Sequence, residues 1–181
     1  MRFQATPIPG AFVVTPEPFR DERGSFARVW CRDEFTTHGL NPSLAQINTG
    51  FNPKAGTLRG IHFQTAPHAE AKLVCCTRGA AWDVVVDLRP GLPTERHWFA
   101  VEMTPGNGKM LYVPEGCGHG YLTLEDDTEV RYHASAPYAP DSATGVRYDD
   151  PAFGIAWPRP VTSISDRDRN WPRFTPVSPP A

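Results

Sequence analysis

Apolar and polar residues alternate in short runs along most of the chain, and proline or glycine ends nearly every run. The 20 prolines and 15 glycines leave little room for long helices. A period of two marks a strand with one buried face, and short strands separated by turn residues are typical of all-β proteins. The pattern predicts strands at residues 11–15, 25–30, 44–51, 57–64, 71–77, 81–88, 97–103, 109–113, 120–124 and 128–135.

One or two short helices are expected among these strands, and the clearer one is at residues 32–38, followed by Gly39 as a C-terminal cap. Strands at this spacing favour a sandwich or jelly roll, whose inner cleft can hold a small ligand. No internal repeat or linker divides the sequence, so residues 1–181 are expected to form a single domain. The proline-rich tail, residues 171–181, is expected to lie along the surface or to trail off.

Composition and charge narrow the classes of protein to which the chain can belong. With 40% hydrophobic and 21% charged residues, it can bury a core and is not expected to be disordered. A net charge of −2 provides no basic field for nucleic acid, so any phosphate site must be local. No apolar run approaches the roughly 20 residues of a membrane span. The first residues also lack an apolar signal core, so a cytoplasmic protein is expected.

Cations and histidines occur inside predicted strands, where side chains are normally half buried. Arg59 and His62 fall in one strand, Lys72 in the next, and His119 follows a turn near another. Alternation along the strands can direct all four side chains into one cavity. Because a buried charge costs several kcal/mol unless it is paired, this cluster implies an anionic ligand.

The segment around His119 resembles the second cupin motif, in which a turn with proline and glycine delivers a histidine to the barrel interior. Many cupins use that histidine to bind a metal. The first cupin motif would supply a second histidine two positions after His62, but Gln64 stands there, and only His68 and Glu70 remain as substitutes. A divalent site needs three or four converging ligands, so no metal site is predicted.

The chain as a whole resembles the dTDP-4-dehydrorhamnose 3,5-epimerases, which are metal-independent, cupin-like enzymes that use no cofactor. The resemblance runs from about residue 12 to 169 and implies a cupin-like jelly-roll barrel. The segments that carry it are 19–26, 58–64, 72–74, 83–89, 114–120, 138–140 and 165–169, together with Tyr132.

The chemistry of such an enzyme accounts for the residue types. A 4-keto group acidifies the protons on the two adjacent carbons, so inversion requires a base, an acid on the opposite face and a cation at the developing enolate. His62 fits the base because an imidazole is the side chain whose ordinary pKa lies near working pH. The resemblance implies that Tyr132 is the acid and that Asp168 orients His62. It also implies that Lys72 faces the C4 oxygen, where a fixed charge stabilises the enolate.

The resemblance also implies a set of substrate-binding residues. His119, with Asp83 as its expected partner, is a second polar candidate near the C4 oxygen. Arginines match the diphosphate because their forked donors pair with phosphate oxygens. The predicted diphosphate ligands are Arg23, Arg59 and Arg167, and the predicted nucleotide or sugar contacts are Phe19, Phe26, Gln46, Asn48 and Tyr138. In the family, part of the nucleotide site comes from a neighbouring subunit, which implies a homodimer.

Arg28 departs from the family pattern, since thymidine-nucleotide members usually carry a glutamate there. A carboxylate accepts hydrogen bonds, whereas a guanidinium only donates them. Two interpretations follow. Either Arg28 contacts a base other than thymine, such as guanine or cytosine, or Arg28 has a partner elsewhere in the protein and does not read the base.

The sequence therefore predicts an isomerase that epimerises C3, C5 or both of a nucleotide-diphospho-4-keto-6-deoxy sugar. Three alternatives remain at this stage. A related enzyme that inverts one position, or moves the ketone between C3 and C4, would share most of the catalytic residues. A metal-dependent cupin oxygenase and a non-catalytic sugar-nucleotide binding module are the other two.

Overall fold

A computed structural model describes residues 1–175, and the regular secondary structure of this part of the chain is mostly strand, with two short helices. The strands are β1 (Arg2–Ala5), β2 (Phe12–Thr15), β3 (Phe19–Asp21), β4 (Gly24–Phe26), β5 (Gln46–Asn52), β6 (Thr57–Gln64), β7 (Lys72–Arg78), β8 (Ala81–Asp87), β9 (Trp98–Met103), β10 (Met110–Val113), β11 (Cys117–Thr123), β12 (Thr128–Ala134), β13 (Ala143–Gly145) and β14 (Ser163–Ile164). The helices are α1 (Arg32–Thr37) and α2 (Asp166–Arg169).

Most strands belong to two sheets, and the order of strands in each explains where the polar residues meet. The first sheet has the order β1-β2-β10-β7-β12-β5, and the second has the order β13-β6-β11-β8-β9. Neighbours within each sheet are antiparallel, while the short β14 adds to β6 in parallel. Strands β3 and β4 form a separate hairpin. The predicted all-β, cupin-like jelly roll is thus confirmed.

Apolar side chains form three layers around the sheets. Alternation along β7 shows the division: Val74 and Cys76 point into the layer shared by both sheets, while Leu73 points to the opposite face with Phe35 of α1. The third layer lies on the outer face of the second sheet, where residues 146–174 cover Ile61 and its neighbours. The inner layer leaves room for polar residues at one end of the two sheets.

Several element boundaries differ from the predicted ones. The strand predicted at 25–30 is wrong beyond Phe26, because the chain leaves the hairpin there and runs irregularly into α1. The strand predicted at 120–124 begins earlier, at Cys117, so His119 lies within β11 rather than before it. Strands β1, β3, β13 and β14 and helix α2 were not predicted, since two to four residues carry too little periodicity.

The first part of the predicted tail packs against the protein instead of trailing off. Trp171 donates a hydrogen bond from Nε1 to Asp168 at 3.2 Å. The backbone amide of Phe174 donates to Asp150, and its ring packs against Phe153. Residues 176–181 of that prediction lie outside the described residues. Within residues 1–175, no helix is long and apolar enough to cross a bilayer.

Gly60 holds β6 and β11 close together beside the polar end of the sheets. Its φ of 131° is a conformation that L side chains rarely adopt, and an added Cβ would lie 2.5 Å from the Cα of Gly120. We expect Gly60→Ala to lower the free energy of unfolding by about 3 kcal/mol or more, measured by denaturant titration. Gly106→Ala is the matched control, because the nearest atom to its added Cβ is 3.7 Å away. Equal stability of the two variants would contradict this account.

Candidate active site

A cavity of about 270 Å³ opens between the two sheets at their polar end. A second cavity of about 120 Å³ adjoins it, and the two share His62, Lys72 and Tyr132. The larger cavity is lined by Asn48, Thr49, Gly50, Arg59, His62, Lys72, His119, Tyr121, Val130 and Tyr132. The smaller is lined by His62, Phe63, Gln64, Glu70, Lys72, Tyr132, Tyr138, Ala143, Thr144 and Arg167.

His62 stands on β6 in a carboxylate–imidazole pair. Its Nε2 lies 2.6 Å from Oδ1 of Asp168, whose side chain is almost fully buried, while 40% of the His62 side chain remains exposed. Because the carboxylate fixes Nε2 as the protonated nitrogen, the other ring nitrogen, Nδ1, is the one that can accept a proton. The ring edge of Trp171 packs nearby, with centroids 6.1 Å apart.

Asp168 is held from several sides. The backbone amide of Gly60 donates to its Oδ2 at 3.2 Å, Trp171 donates to Oδ1, and Ser165 caps the backbone amide of Asp168 at the start of α2. Burial opposes its ionisation, but hydrogen bonding and charge from His62, with the Gly60 amide, outweigh it and lower the pKa of Asp168. The carboxylate is therefore ionised at neutral pH and orients the imidazole.

A second histidine–carboxylate pair lies beside the first. His119 on β11 faces His62 across the ladder, and its Nε2 is 2.8 Å from Oδ1 of Asp83 on β8. Asp83 is fully buried, and its burial raises its pKa against the opposing influence of His119 and Lys72. This geometry places His119 as a polar group in the wall of the larger cavity.

Lys72 and Tyr132 line the opposite wall, on adjacent strands of the first sheet. Lys72 Nζ lies 2.9 Å from Glu70 Oε1, and both side chains are about nine-tenths buried. Burial is the main cause that raises the pKa of Tyr132, and the Glu70 carboxylate raises it further, against Arg59 and a hydrogen bond with Asn48. The phenol thus keeps its proton at neutral pH and can donate it.

Two of the predicted arginines reach the cavities. Arg59 lines the larger one, where its Nε donates to Asn52 Oδ1 at 2.8 Å, and the amide of Asn52 in turn donates to the Tyr121 hydroxyl at 3.2 Å. Arg167 lines the smaller one, and its guanidinium lies 4.9 Å above the ring of Trp171. Both cations are therefore anchored on the protein in the walls of the two cavities.

Of the predicted substrate contacts in other segments, some lie at the cavities and others lie away from them. Asn48 and Tyr138 line the cavities, and Gln46 lies at the edge, where its side chain accepts a hydrogen bond from the Tyr138 backbone amide. Four predicted ligands lie away from the cavities, on the hairpin and the segment after it. These are Phe19, Arg23, Phe26 and Arg28.

These four residues are all exposed in the single chain. Phe19 and Phe26 pair across the hairpin with 68% and 78% of their surfaces exposed. Arg23 contacts only Asp21 of its own hairpin among the described residues, and Arg28 pairs with Glu34 of α1 at 3.2 Å.

The donor set does not fit a cupin metal site. The Nε2 atoms of His62 and His119 are hydrogen-bonded to buried carboxylates. Gln64 stands where a further ligand would be expected, and its side chain makes three hydrogen bonds within the protein. Its amide group donates to the carbonyls of His68 and Pro137, and its oxygen accepts from the backbone amide of Ala139. Glu70 is turned to Lys72. Within residues 1–175, no three His, Cys, Asp or Glu side chains converge as ligands.

Sequence reasoning missed some residues that line the cavities or support the residues that do. Trp171 was assigned to the tail, although its spacing of three from Asp168 would place both on one face of a short helix. Glu70 was considered only as a metal ligand, although strand alternation puts it on the same side as Lys72. Asn52 and Tyr121 carried no signal, because their contacts join residues 69 positions apart.

The two facing antiparallel sheets, with a polar cavity between them at one end, define a cupin-like protein. Comparison with known proteins gives the family. The sequence model of the family described as dTDP-4-dehydrorhamnose 3,5-epimerase matches residues 5–176. The chain belongs to this family. A curated relative, dTDP-4-dehydrorhamnose 3,5-epimerase from Sinorhizobium fredii, is 41% identical over 98% of this chain and 93% of its own length.

Solved structures agree with this assignment. The chain is similar to dTDP-4-dehydrorhamnose 3,5-epimerase from Bacillus anthracis with TDP and pyrophosphate bound, with a TM-score of 0.91, 35% identity and coverage of 96% of this chain and 99% of the other. It is also similar to a 3'-monoepimerase from Streptomyces bikiniensis in complex with dTDP-quinovose, with a TM-score of 0.86, 36% identity and coverage of 94% and 86%.

Proposed function

We propose that the protein epimerises C3 and C5 of a dTDP-4-keto-6-deoxy sugar. The observation that carries the proposal is the arrangement of His62 and Tyr132 on opposite sheets of one cavity, with Lys72 lining the same space. His62 is oriented by an ionised carboxylate, and Tyr132 is protonated at neutral pH. A proton can therefore leave a carbon on one face and return on the other.

The reaction proceeds in two balanced proton transfers at each carbon. The proton of the carbon next to the ketone moves to Nδ1 of His62, and the electron pair of the C–H bond moves to the C4 oxygen to form an enolate. Hydrogen bonds from Lys72 stabilise that oxygen more strongly as an enolate than as a ketone. Tyr132 then gives its proton to the opposite face of the carbon, and solvent restores the proton to Tyr132 and removes the one on His62.

The test is incubation of the purified protein with a dTDP-4-keto-6-deoxy sugar in deuterated water, followed by NMR. We expect deuterium at C3 and C5 and the coupling pattern of the inverted sugar. A substrate that neither exchanges nor changes configuration would contradict the proposal and favour a binding module. Treatment with a chelator should leave turnover unchanged, and a loss restored by Fe²⁺, Mn²⁺ or Zn²⁺ would favour a metal-dependent enzyme.

A single-position epimerase is the second candidate, because the chain is also similar to a 3'-monoepimerase. The same spectrum separates the two, since deuterium would then appear at only one carbon. Movement of the ketone from C4 to C3 would instead give new carbon shifts for the ring and indicate a ketoisomerase.

The active form proposed here is a homodimer in which the β3–β4 hairpin of one protomer completes the cavity of its partner. Support comes from exposed large apolar residues on the hairpin, on the segment after it and on β5, because exposed apolar surface often marks a protein–protein interface. They are Phe19, Phe26, Val29, Ile47 and Phe51, each about half exposed or more. Arg23, with 81% of its side chain exposed, would then reach the partner's diphosphate.

Subunit mixing tests this arrangement. Arg23→Ala should lower kcat/KM by roughly 10- to 100-fold, because a charged hydrogen bond contributes about 1.5–3 kcal/mol. Mixed and refolded with an inactive His62→Asn variant, it should regain about a quarter of the native activity, since half of the random dimers carry one intact site. Activity of the mixture no greater than that of the separate variants would contradict a shared site. Arg20→Ala, on the same hairpin, is the control.

The proposed base is thymine, because Arg28 already has Glu34 as a partner in its own chain. This supports the second of the two interpretations of Arg28. We expect dTDP to bind more tightly than CDP or GDP, with UDP closest to it, and Arg28→Glu to leave the order unchanged; calorimetry measures both. A preference for GDP or CDP that Arg28→Glu abolishes would show that Arg28 reads the base.

A further inference from the structure

Glu70 lies beside two of the groups that the proposed reaction uses. Glu70 lies two residues before the start of β7, on the same side of the chain as Lys72. Ala71, between them, points the other way and is buried with Leu73 and Phe35 on the outer face of the first sheet. Its Oε1 is 2.9 Å from Lys72 Nζ, and its side chain lines the smaller cavity together with His62, Lys72 and Tyr132. The carboxylate therefore belongs to the wall of the candidate site.

The pair is buried, which separates it from an ordinary surface ion pair. Only 9% of the Lys72 side chain and 11% of the Glu70 side chain are exposed. Removing two charges from water costs several kcal/mol each, and loss of one partner leaves the other charged and unpaired. An ammonium held by one carboxylate still has further N–H donors for a ligand oxygen. Glu70 can thus fix Lys72 without occupying all of its donors.

The Glu70 carboxylate also acts on Tyr132, the proposed acid. It is the second largest cause of the raised pKa of Tyr132, after burial. The other charged or titratable side chains that face Lys72 or Tyr132 are Arg59, His62, Asp83, His119, Tyr121, Tyr138 and Arg167. Of these, the acid Asp83 is turned to His119, so Glu70 supplies the negative charge next to both groups.

We propose that Glu70 is a positioning residue that fixes the Lys72 ammonium at the C4 oxygen through a buried ion pair and supports Tyr132 as the acid from the same cavity wall. The proposal rests on the epimerase function proposed above. One carboxylate thus contacts the enolate-stabilising cation and lies in the same cavity wall as the proton donor.

The first test is the pH dependence of kcat in Glu70→Gln. Without the negative charge, Tyr132 loses its proton more readily, so the alkaline limb of the profile moves to lower pH. We expect a shift of about one pH unit and a fall in kcat of roughly tenfold, while KM changes little. An alkaline limb that stays in place would overturn the proposal and leave Glu70 a structural role only.

Two further variants sharpen the result. Glu70→Asp keeps the charge with a shorter side chain, so its alkaline limb should remain at the native position even if kcat falls. Glu102→Gln removes the same charge from an exposed position on β9 and should match the native enzyme throughout. A shift in Glu102→Gln equal to that in Glu70→Gln would contradict a local effect.

A titration independent of turnover distinguishes failure of this inference from failure of the proposed function. Protein labelled with ¹³C at the tyrosine ring carbon bearing the hydroxyl gives five signals, and Tyr132→Phe identifies the one that belongs to Tyr132. In Glu70→Gln that signal should titrate at lower pH than in the native protein. An unchanged Tyr132 titration would refute the coupling whether or not the native protein turns over a 4-keto sugar.

Discussion

His62→Asn is expected to lower the rate of epimerisation by roughly 10²- to 10⁴-fold, the usual effect of losing a general base. Asparagine fills similar space and can still donate a hydrogen bond to the buried Asp168, so the protein should fold. It has no nitrogen with a lone pair that can take a proton at neutral pH. Deuterium incorporation at C3 and C5 should therefore fall with the rate of inversion, and one NMR time course measures both.

The control is His97→Asn, since His97 is exposed and lies outside both cavities. The His97→Asn variant should exchange the substrate protons and invert the substrate at the native rate. Exchange that continues at full rate in His62→Asn would remove His62 from the role of base. His119, the other histidine of the site, would then be the next candidate, because it is held by Asp83 in the same way.

The strands that carry the polar residues of the cavity could be predicted from their period of two. Alternation alone would place Arg59 and His62, three positions apart, on opposite faces, and both line the cavity because the pairing of β6 with β11 shifts register between them. Arg59 and His62 fall in the strand that was predicted at its observed bounds, 57–64, and Lys72 begins β7 one residue after its predicted start. The local pattern thus carried both the fold class and the position of the cavity. Asp168 came instead from the resemblance, since the four charged residues of the short helix α2 show no hydrophobic period.

What the sequence did not reveal are the contacts between segments far apart in the chain. The pairing of Arg28 with Glu34 depends on how α1 folds back after the hairpin, and Trp171 meets His62 only because residues 146–174 cross the outer face of the second sheet. No periodic pattern in the sequence predicts these contacts. The hairpin residues Phe19 and Arg23 are a further case, because a single chain leaves them exposed.

Tyr132→Phe is expected to separate proton exchange from inversion. The phenol is lost but the ring remains, and the hydrogen bond with Asn48 contributes only about 1 kcal/mol, so the fold should survive. His62 can still remove a proton and return a deuteron to the same face. Deuterium should therefore enter C3 and C5 with retained configuration, while inversion falls by roughly 10²- to 10⁴-fold. Mass spectrometry measures the deuterium incorporated and NMR coupling constants report the configuration, and together they distinguish the two outcomes.

Tyr148→Phe is the matched control, since Tyr148 lines neither cavity. This variant should invert the substrate at the native rate. Inversion at the native rate in Tyr132→Phe would mean that another group protonates the second face, and Tyr121, whose hydroxyl lines the larger cavity, would be tested next. Loss of exchange together with inversion would instead mean that Tyr132 is needed to form the enolate, for example by sharing the C4 oxygen with Lys72. Only exchange without inversion fits a two-sided mechanism in which the facing sheets carry the base on one wall and the acid on the other.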